Sequence, residues 1–243
     1  MNKMLTRGGI EFLAVLLGIS GSLWLDDRST YALDRKYEIE AYERLSNALV
    51  QDIEGLKVDA KKNDRMISVL EKMINGMNDI SNDSLINYID ITQSYSAMET
   101  HTSDYETLKN TGRLYNITDI DMLESIIDMY DNKYTEIEDW KSEDKRAIWL
   151  QDEFFIKNYS MRVAPNWTTI KNIKKDRERL ISDTTYQNYL IFLFKVKSRM
   201  NEEWGKLRGE MIKLNDDISL RLEVLVKKSV SYTHLTLPTI YSV

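Results

Sequence analysis

The first proline of this chain stands at position 165, and only one more follows it, at 238. A proline inside a helix removes a backbone hydrogen bond and clashes with the preceding turn, at a cost of about 3 kcal/mol, whereas an interior glycine costs about 1 kcal/mol. Four of the nine glycines (Gly8, Gly9, Gly18 and Gly21) lie in or beside one apolar stretch near the N-terminus, so the remainder carries few helix breakers. The expected fold class is therefore all-α. With 243 residues and 42% hydrophobic content the chain can bury a core of ordinary size. Charged residues make up 30%, mixed in sign, with a net charge of −6. Nothing in that balance supplies the basic field on which nucleic-acid binding depends. The absence of cysteine removes disulfides, thiolate catalysis and Cys-ligated metals together, and fits an exported bacterial domain.

The N-terminus divides into a basic flank over residues 1–9, with Lys3 and Arg7, and an apolar run over residues 10–25 that stops at Asp26 and Asp27. Sixteen residues span about 24 Å as a helix, short of the ~30 Å hydrocarbon core unless flanking residues such as Met4 and Leu5 extend the run. Trp24 sits where an interfacial aromatic belongs, and Glu11 lies one turn from Arg7, near enough to the headgroups to stay hydrated. The reading is a transmembrane helix acting as a single-pass anchor. A cleaved signal peptide is the competing reading, because Ser20-Gly21-Ser22 offers small residues after an apolar region. Against it, the apolar pattern continues through Leu23, Trp24 and Leu25. Ala14, Gly18 and Ser22 recur every fourth residue and share one helix face. They either mark a contact between two such helices, giving a homo-oligomer, or reflect the small residues common in membrane helices.

The stretch Glu11-Phe12-Leu13-Ala14-Val15-Leu16-Leu17-Gly18-Ile19, followed by Ser22-Leu23-Trp24-Leu25-Asp26-Asp27, resembles the opening of a bacterial family of single-span proteins whose helical domain has no assigned function. The segments from Leu45 to Asp52 and from Tyr105 to Gly112 are similar to that family's helical domain. The family's polar pair is usually followed by Trp-Asn-Glu, where this chain has Arg28-Ser29-Thr30. The resemblance implies a membrane anchor and a helical domain, and no catalytic residue.

Beyond the anchor, residues 26–228 read as one irregular antiparallel helical bundle, entered by a long juxtamembrane helix. Leu45, Leu49, Ile53 and Leu56, then Met66, Leu70, Met73, Ile74 and Met77, recur at helical spacing between Tyr31 and Asn78. A turn over Asn78–Asn82, a short helix over Leu85–Ile91 and a polar loop over Thr92–Thr102 follow. Ser103 with Glu106 matches a capping box, and Gly112 suits the position just past a helix end. Asp119 or Thr118 caps the next helix, apolar from Ile120 to Ile156 in two blocks around a charged stretch. Asn158–Trp167, holding Pro165, reads as a loop. A last helix is expected over Asp183–Lys227, apolar from Tyr186 through Leu225, with Leu190–Phe194 as core because five residues cannot span a bilayer.

Chemistry is sparse. His101 stands in a polar loop without a second histidine or cysteine, and reads as an exposed side chain. Asp216-Asp217 and the pair Asp119 and Asp121 lack a glycine-centred calcium loop and read as caps or solvated charges. No GxSxG, phosphate-cradling glycine loop or HExxH occurs. No catalytic residue, cofactor or metal is assigned. Trp140, Trp149, Phe154, Phe155 and Trp167 are candidates for lining an apolar pocket.

The expected protein is thus a structural or interaction protein of the bacterial envelope and not an enzyme. Its partners are the lipid bilayer and a second copy of itself, and no protein partner is identified. The alternative is a sensor-like ligand-binding domain of a longer receptor. Lys3 and Arg7 before the span are balanced by Arg28, Arg35 and Lys36 after it, so the placement of the helical domain outside the cytoplasm, on the inner membrane, rests on the missing cysteines and the short basic start. Residues 229–243 break with the helical pattern: Val230 to Val243 is uncharged and threonine-rich. Its VSYTHLTLPT resembles the translated read-through of a transposase-type sequencing adapter, which would leave His234 without a native role. A long read of the source DNA across the 3′ end is expected to depart from the VSYTHLTLPT frame near Ser229. A genomic read that continues VSYTHLTLPT would overturn the adapter reading.

Overall fold

The computed structural model describes residues 2–95, 98–163 and 168–233, with side chains described between Phe12 and Lys227 apart from Ala14 and Thr168. Among these residues the protein is all-α, as expected. It comprises seven helices, α1 (Asn2–Gly76), α2 (Asn82–Thr92), α3 (Ser103–Asn110), α4 (Ile120–Ile127), α5 (Tyr134–Asn158), α6 (Ile173–Ser182) and α7 (Thr184–Thr233), and one hairpin of β1 (Met161–Val163) and β2 (Thr168–Ile170). The segment expected as a separate anchor over residues 10–25 is the first part of α1, which continues unbroken through Asp26 and Asp27. Those carboxylates end the apolar run but not the helix, because aspartate costs a helix only a few tenths of a kcal/mol, about 0.7 at most. No helix among the described residues is long and apolar enough to cross a membrane.

The chain divides into two compact units, neither contiguous in sequence. The first gathers residues from 2–46, 103–123 and 217–233. Here α1 and α7 run antiparallel: Arg35 Nη2 donates to the Leu225 carbonyl at 3.2 Å, and Arg221 approaches Glu38 at 3.8 Å. Tyr42, Leu45, Tyr105, Leu108, Leu114 and Ile218 are buried between these helices, α3 and a 3₁₀ turn at Arg113–Asn116. Gly112 ends α3 with φ 72°, the left-handed region that favours glycine, and its amide donates to the Lys109 carbonyl at 3.1 Å. Asp119 caps α4 by accepting the Met122 amide.

The second unit holds residues 47–102 and 124–216. Its part of α7 again runs antiparallel to α1, with Asn201 Nδ2 on Asp64 at 2.6 Å and Arg208 on the Ile53 carbonyl. A π turn at Asp128–Lys133 leads into α5. The core packs Leu70, Met73, Leu85, Phe155, Tyr186 and Leu190, with Leu193 beside them. Leu190–Phe194 contributes as expected through Leu190 and Leu193, while Ile191 faces outward.

Two segments differ from the sequence reading. Asn158–Trp167 is not all loop: Met161–Val163 pairs antiparallel with Thr168–Ile170, placing Ile170 in the core, and Pro165 and Trp167 lie outside the described residues. α6 had no counterpart, because only Ile173 and Leu180 of its ten residues are buried and the rest are mostly charged. Asp183, accepting the Thr185 and Tyr186 amides, caps α7. That helix extends six residues beyond the expected Lys227, into the first part of the tail; His234 and the residues after it fall outside the described part. Gly112→Ala, which adds a methyl into open space at a positive φ, is expected to destabilise the chain by about 1 kcal/mol, measured by urea unfolding followed by circular dichroism.

Candidate functional site

Two features depart from what a helical bundle needs. The first is the start of α1. Phe12, Leu13, Val15, Leu16, Leu17, Ile19, Leu23, Trp24 and Leu25 are each 47–71% exposed, on every face of the helix. A helix apolar all round is normally buried. Every residue before Arg35 whose side chain is described is exposed, and Asp34, which accepts from Asn116 Nδ2 at 3.0 Å, is the first of them that bonds to another element. Of the residues singled out in the anchor, Gly18 has open space about its Cα, Ser22 Oγ donates to the Ile19 carbonyl of its own helix, and Trp24 stacks under the Arg28 guanidinium at 5.2 Å. Glu11 and Ala14 fall on the helix path, but their side chains lie outside the described ones.

The second feature is a buried polar layer in the second unit. Asp52, Asp59, Asn63, Asp144, Gln151 and Lys197 are all at most 6% exposed. Asp52 and Asp59 stand seven residues apart on α1, two turns along the same face, at positions where the stripe from Leu49 to Met66 would otherwise be apolar. Both point at the irregular segment after α2. Asp52 accepts the His101 amide at 3.0 Å, the His101 ring Nδ1 at 2.7 Å and the Tyr134 hydroxyl. Asp59 accepts the Met98 amide at 3.1 Å and Lys62 Nζ at 3.0 Å. Lys197 on α7 donates to Asp144 on α5 at 2.7–2.8 Å and to the Ser94 carbonyl at 3.2 Å. Gln93 reaches Asp152 at 2.9 Å, and Gln151 reaches Thr92 at 3.0 Å.

The layer fixes a segment without secondary structure by satisfying its backbone groups from buried side chains. Burial lowers the affinity of Lys197 for its proton, and the facing Asp144 carboxylate opposes that shift. Burial likewise raises the Tyr134 hydroxyl, helped by Tyr130 and the Asp52 carboxylate, so Tyr134 remains a donor to Asp52. His101, read from the sequence as simply exposed, is half-exposed and clamped by one ring nitrogen to a fully buried carboxylate. Asp52, Asp144 and Lys197 gave no sequence signal of their own, since isolated charges on amphipathic helices ordinarily face water.

The first unit has a smaller cluster. Buried Glu38 accepts the Thr118 amide and hydroxyl at 3.0 and 2.8 Å, while Arg221 bonds Thr118 Oγ1 and approaches Asp119 at 4.0 Å. Asp119 is thus a cap in an ion-pair cluster. No group of three or more metal-ligating side chains converges among the described residues.

Among the described residues, the aromatic side chains that the sequence offered for one pocket do not stand together. Phe154 and Phe155 are buried in a packed cluster with Tyr159, Tyr186 and Tyr189, at centroid distances of 5.3–6.1 Å. Trp149 is 65% exposed, Trp140 is half-buried, and Trp167 lies outside the described residues. Trp149 precedes Phe154 and Phe155 by five and six residues on α5, about 140° and 240° around the helix, so one sequence neighbourhood does not make one cavity. No family model, curated protein or solved structure matches this chain.

Replacing Lys197 by methionine leaves Asp144 buried without its cation, and is expected to cost about 3–5 kcal/mol in chemical denaturation. Replacing both (Lys197→Met with Asp144→Leu) is expected to restore most of that loss, and an additive loss in the double variant would contradict a coupled buried pair.

Proposed function

We propose that this chain is a membrane-anchored helical protein of the bacterial envelope, with a structural or interaction role and no catalytic one. One observation carries the reading: the uncharged run Phe12–Leu25 is apolar and exposed around the whole circumference of α1, and nothing among the described residues covers it. Burying a side chain such as leucine or phenylalanine is worth about 1.5–3 kcal/mol, so nine of them held in water is a large unfavourable term that an apolar medium would remove. Fourteen residues reach only about 21 Å, and spanning the ~30 Å hydrocarbon needs help from residues 4–10, from snorkelling by the flanking Arg7 and Arg28, or from local thinning of the bilayer. Arg28 over Trp24 is the pairing of cation and interfacial ring that suits a headgroup boundary.

Within this reading the face bearing Ala14, Gly18 and Ser22 lets a second copy approach closely, which makes self-association its natural consequence. The bundle lies outside the cytoplasm on the inner membrane. Expressed in a bacterial host, the full chain is expected to sediment with membranes and to resist alkaline carbonate extraction. A variant carrying Leu16→Asp and Ile19→Asp, each costing about 2.5–3.5 kcal/mol in the hydrocarbon, is expected to move to the supernatant with its helical circular dichroism intact. A wild-type chain that stays dispersed after ultracentrifugation would overturn the anchor.

A further inference from the structure

Between Arg162 and Arg179 six cations and two carboxylates give a local charge of +4 in a chain whose total is −6. Elsewhere in the second unit several lysines sit on a carboxylate three or four residues away, as Lys57 does on Glu54, Lys141 on Glu138 and Lys157 on Glu153. Lys171, Lys175 and Arg179 form no ion pair among the described residues. All three line one cleft of about 350 Å³ at the base of the hairpin, where α6 begins behind its cap Asn172. The cleft has a second, independent mark. Tyr159, 7% exposed, lines it, and the Tyr159 hydroxyl has no hydrogen-bond partner among the described residues. An unsatisfied buried hydroxyl costs about 1–3 kcal/mol, and such a group calls for an explanation. The Arg179 guanidinium lies over the Tyr159 ring at 4.9 Å, which holds that cation at the cleft.

We propose that this cleft binds a phosphomonoester. Three cations against the single carboxylate Asp176 leave the lining at +2, which matches a phosphate dianion and exceeds what one carboxylate ligand would neutralise. The amides at the start of α6 add the positive end of a helix dipole. The cleft is larger than inorganic phosphate, and Asn158, Ser160 and Asp176 offer partners for hydroxyls on the esterified carbon skeleton. The chemistry is that of a small phosphorylated polyol, free in solution or as a lipid headgroup.

The test is calorimetric titration of the purified full chain in detergent at about 0.15 M salt, where weak surface attraction is screened. The probes are glycerol 3-phosphate, glycerol, and dihexanoyl phosphatidic acid below its micelle concentration. Glycerol 3-phosphate is expected to bind saturably at one site and glycerol not at all. Lys171→Ala with Lys175→Ala is expected to weaken binding at least about tenfold, and Tyr159→Phe about fivefold, with circular dichroism unchanged. Lys61→Ala with Lys145→Ala, two exposed lysines away from the cleft, is expected to leave binding unchanged. A phosphatidic acid affinity at least tenfold above that of glycerol 3-phosphate would assign a lipid source, and equal affinities a soluble one. Absence of saturable binding by both phosphorylated probes, or an equal loss in the Lys61 and Lys145 control, would overturn the site.

Discussion

Two carboxylates on one face of α1, Asp52 and Asp59, hold the irregular residues from Met98 to His101 in place. A segment without helix or strand must find partners for its amides, and water cannot reach those that lie against the core. Asp52 and Asp59 take the amides of His101 and Met98, and Lys197 takes the carbonyl of Ser94. The charges are tolerable because each is satisfied: Asp52 by three donors from two residues, Lys197 by Asp144 and a carbonyl. Remove one partner and a buried charge is left without compensation, so the layer acts as a unit.

The same accounting explains the shape of the core around it. The aromatic cluster of Phe154, Phe155, Tyr159, Tyr186 and Tyr189 packs ring against ring in the second unit, and Tyr159 alone carries that cluster to the edge of the basic cleft. Arg177 ties α6 back by donating to the Met77 and Asn78 carbonyls and to Asn82, thereby satisfying backbone acceptors left at the end of α1. Its neighbours Lys175 and Arg179 have no such duty. Among the cations of α6, the difference between structural and unassigned is whether a protein acceptor is within reach.

The exposed start of α1 poses the opposite problem. Apolar side chains on every face have no protein surface to cover them, whereas from Arg35 onward the same helix alternates buried and exposed faces. On the proposed membrane anchor, this change of pattern is the passage of one helix from hydrocarbon to water, with the charges at Asp26, Asp27 and Arg28 at the boundary.

The sequence by itself determined the all-α class, the long last helix with its start at Asp183, a cap at Asp119 or Thr118 and the helix-ending turn at Gly112, because each depends on local spacing, on a side chain that reaches only its own turn, or on a backbone angle that favours glycine. Its apolar stripe on α7 is buried almost residue for residue, from Tyr186 to Leu225. What only the tertiary structure decided is which polar residues turn inward. Asp52 took the inward position next to half-buried Ile53, His101 gained a buried partner 49 residues away, and Lys197 met Asp144 across 53 residues. The aromatic residues of α5 were legible as core but not as a filled cluster, since filling depends on Tyr186 and Tyr189 arriving from α7. Charge placement of this kind has no periodic signature; it follows from which backbone groups the distant chain leaves unpaired, and that is settled only when the helices pack.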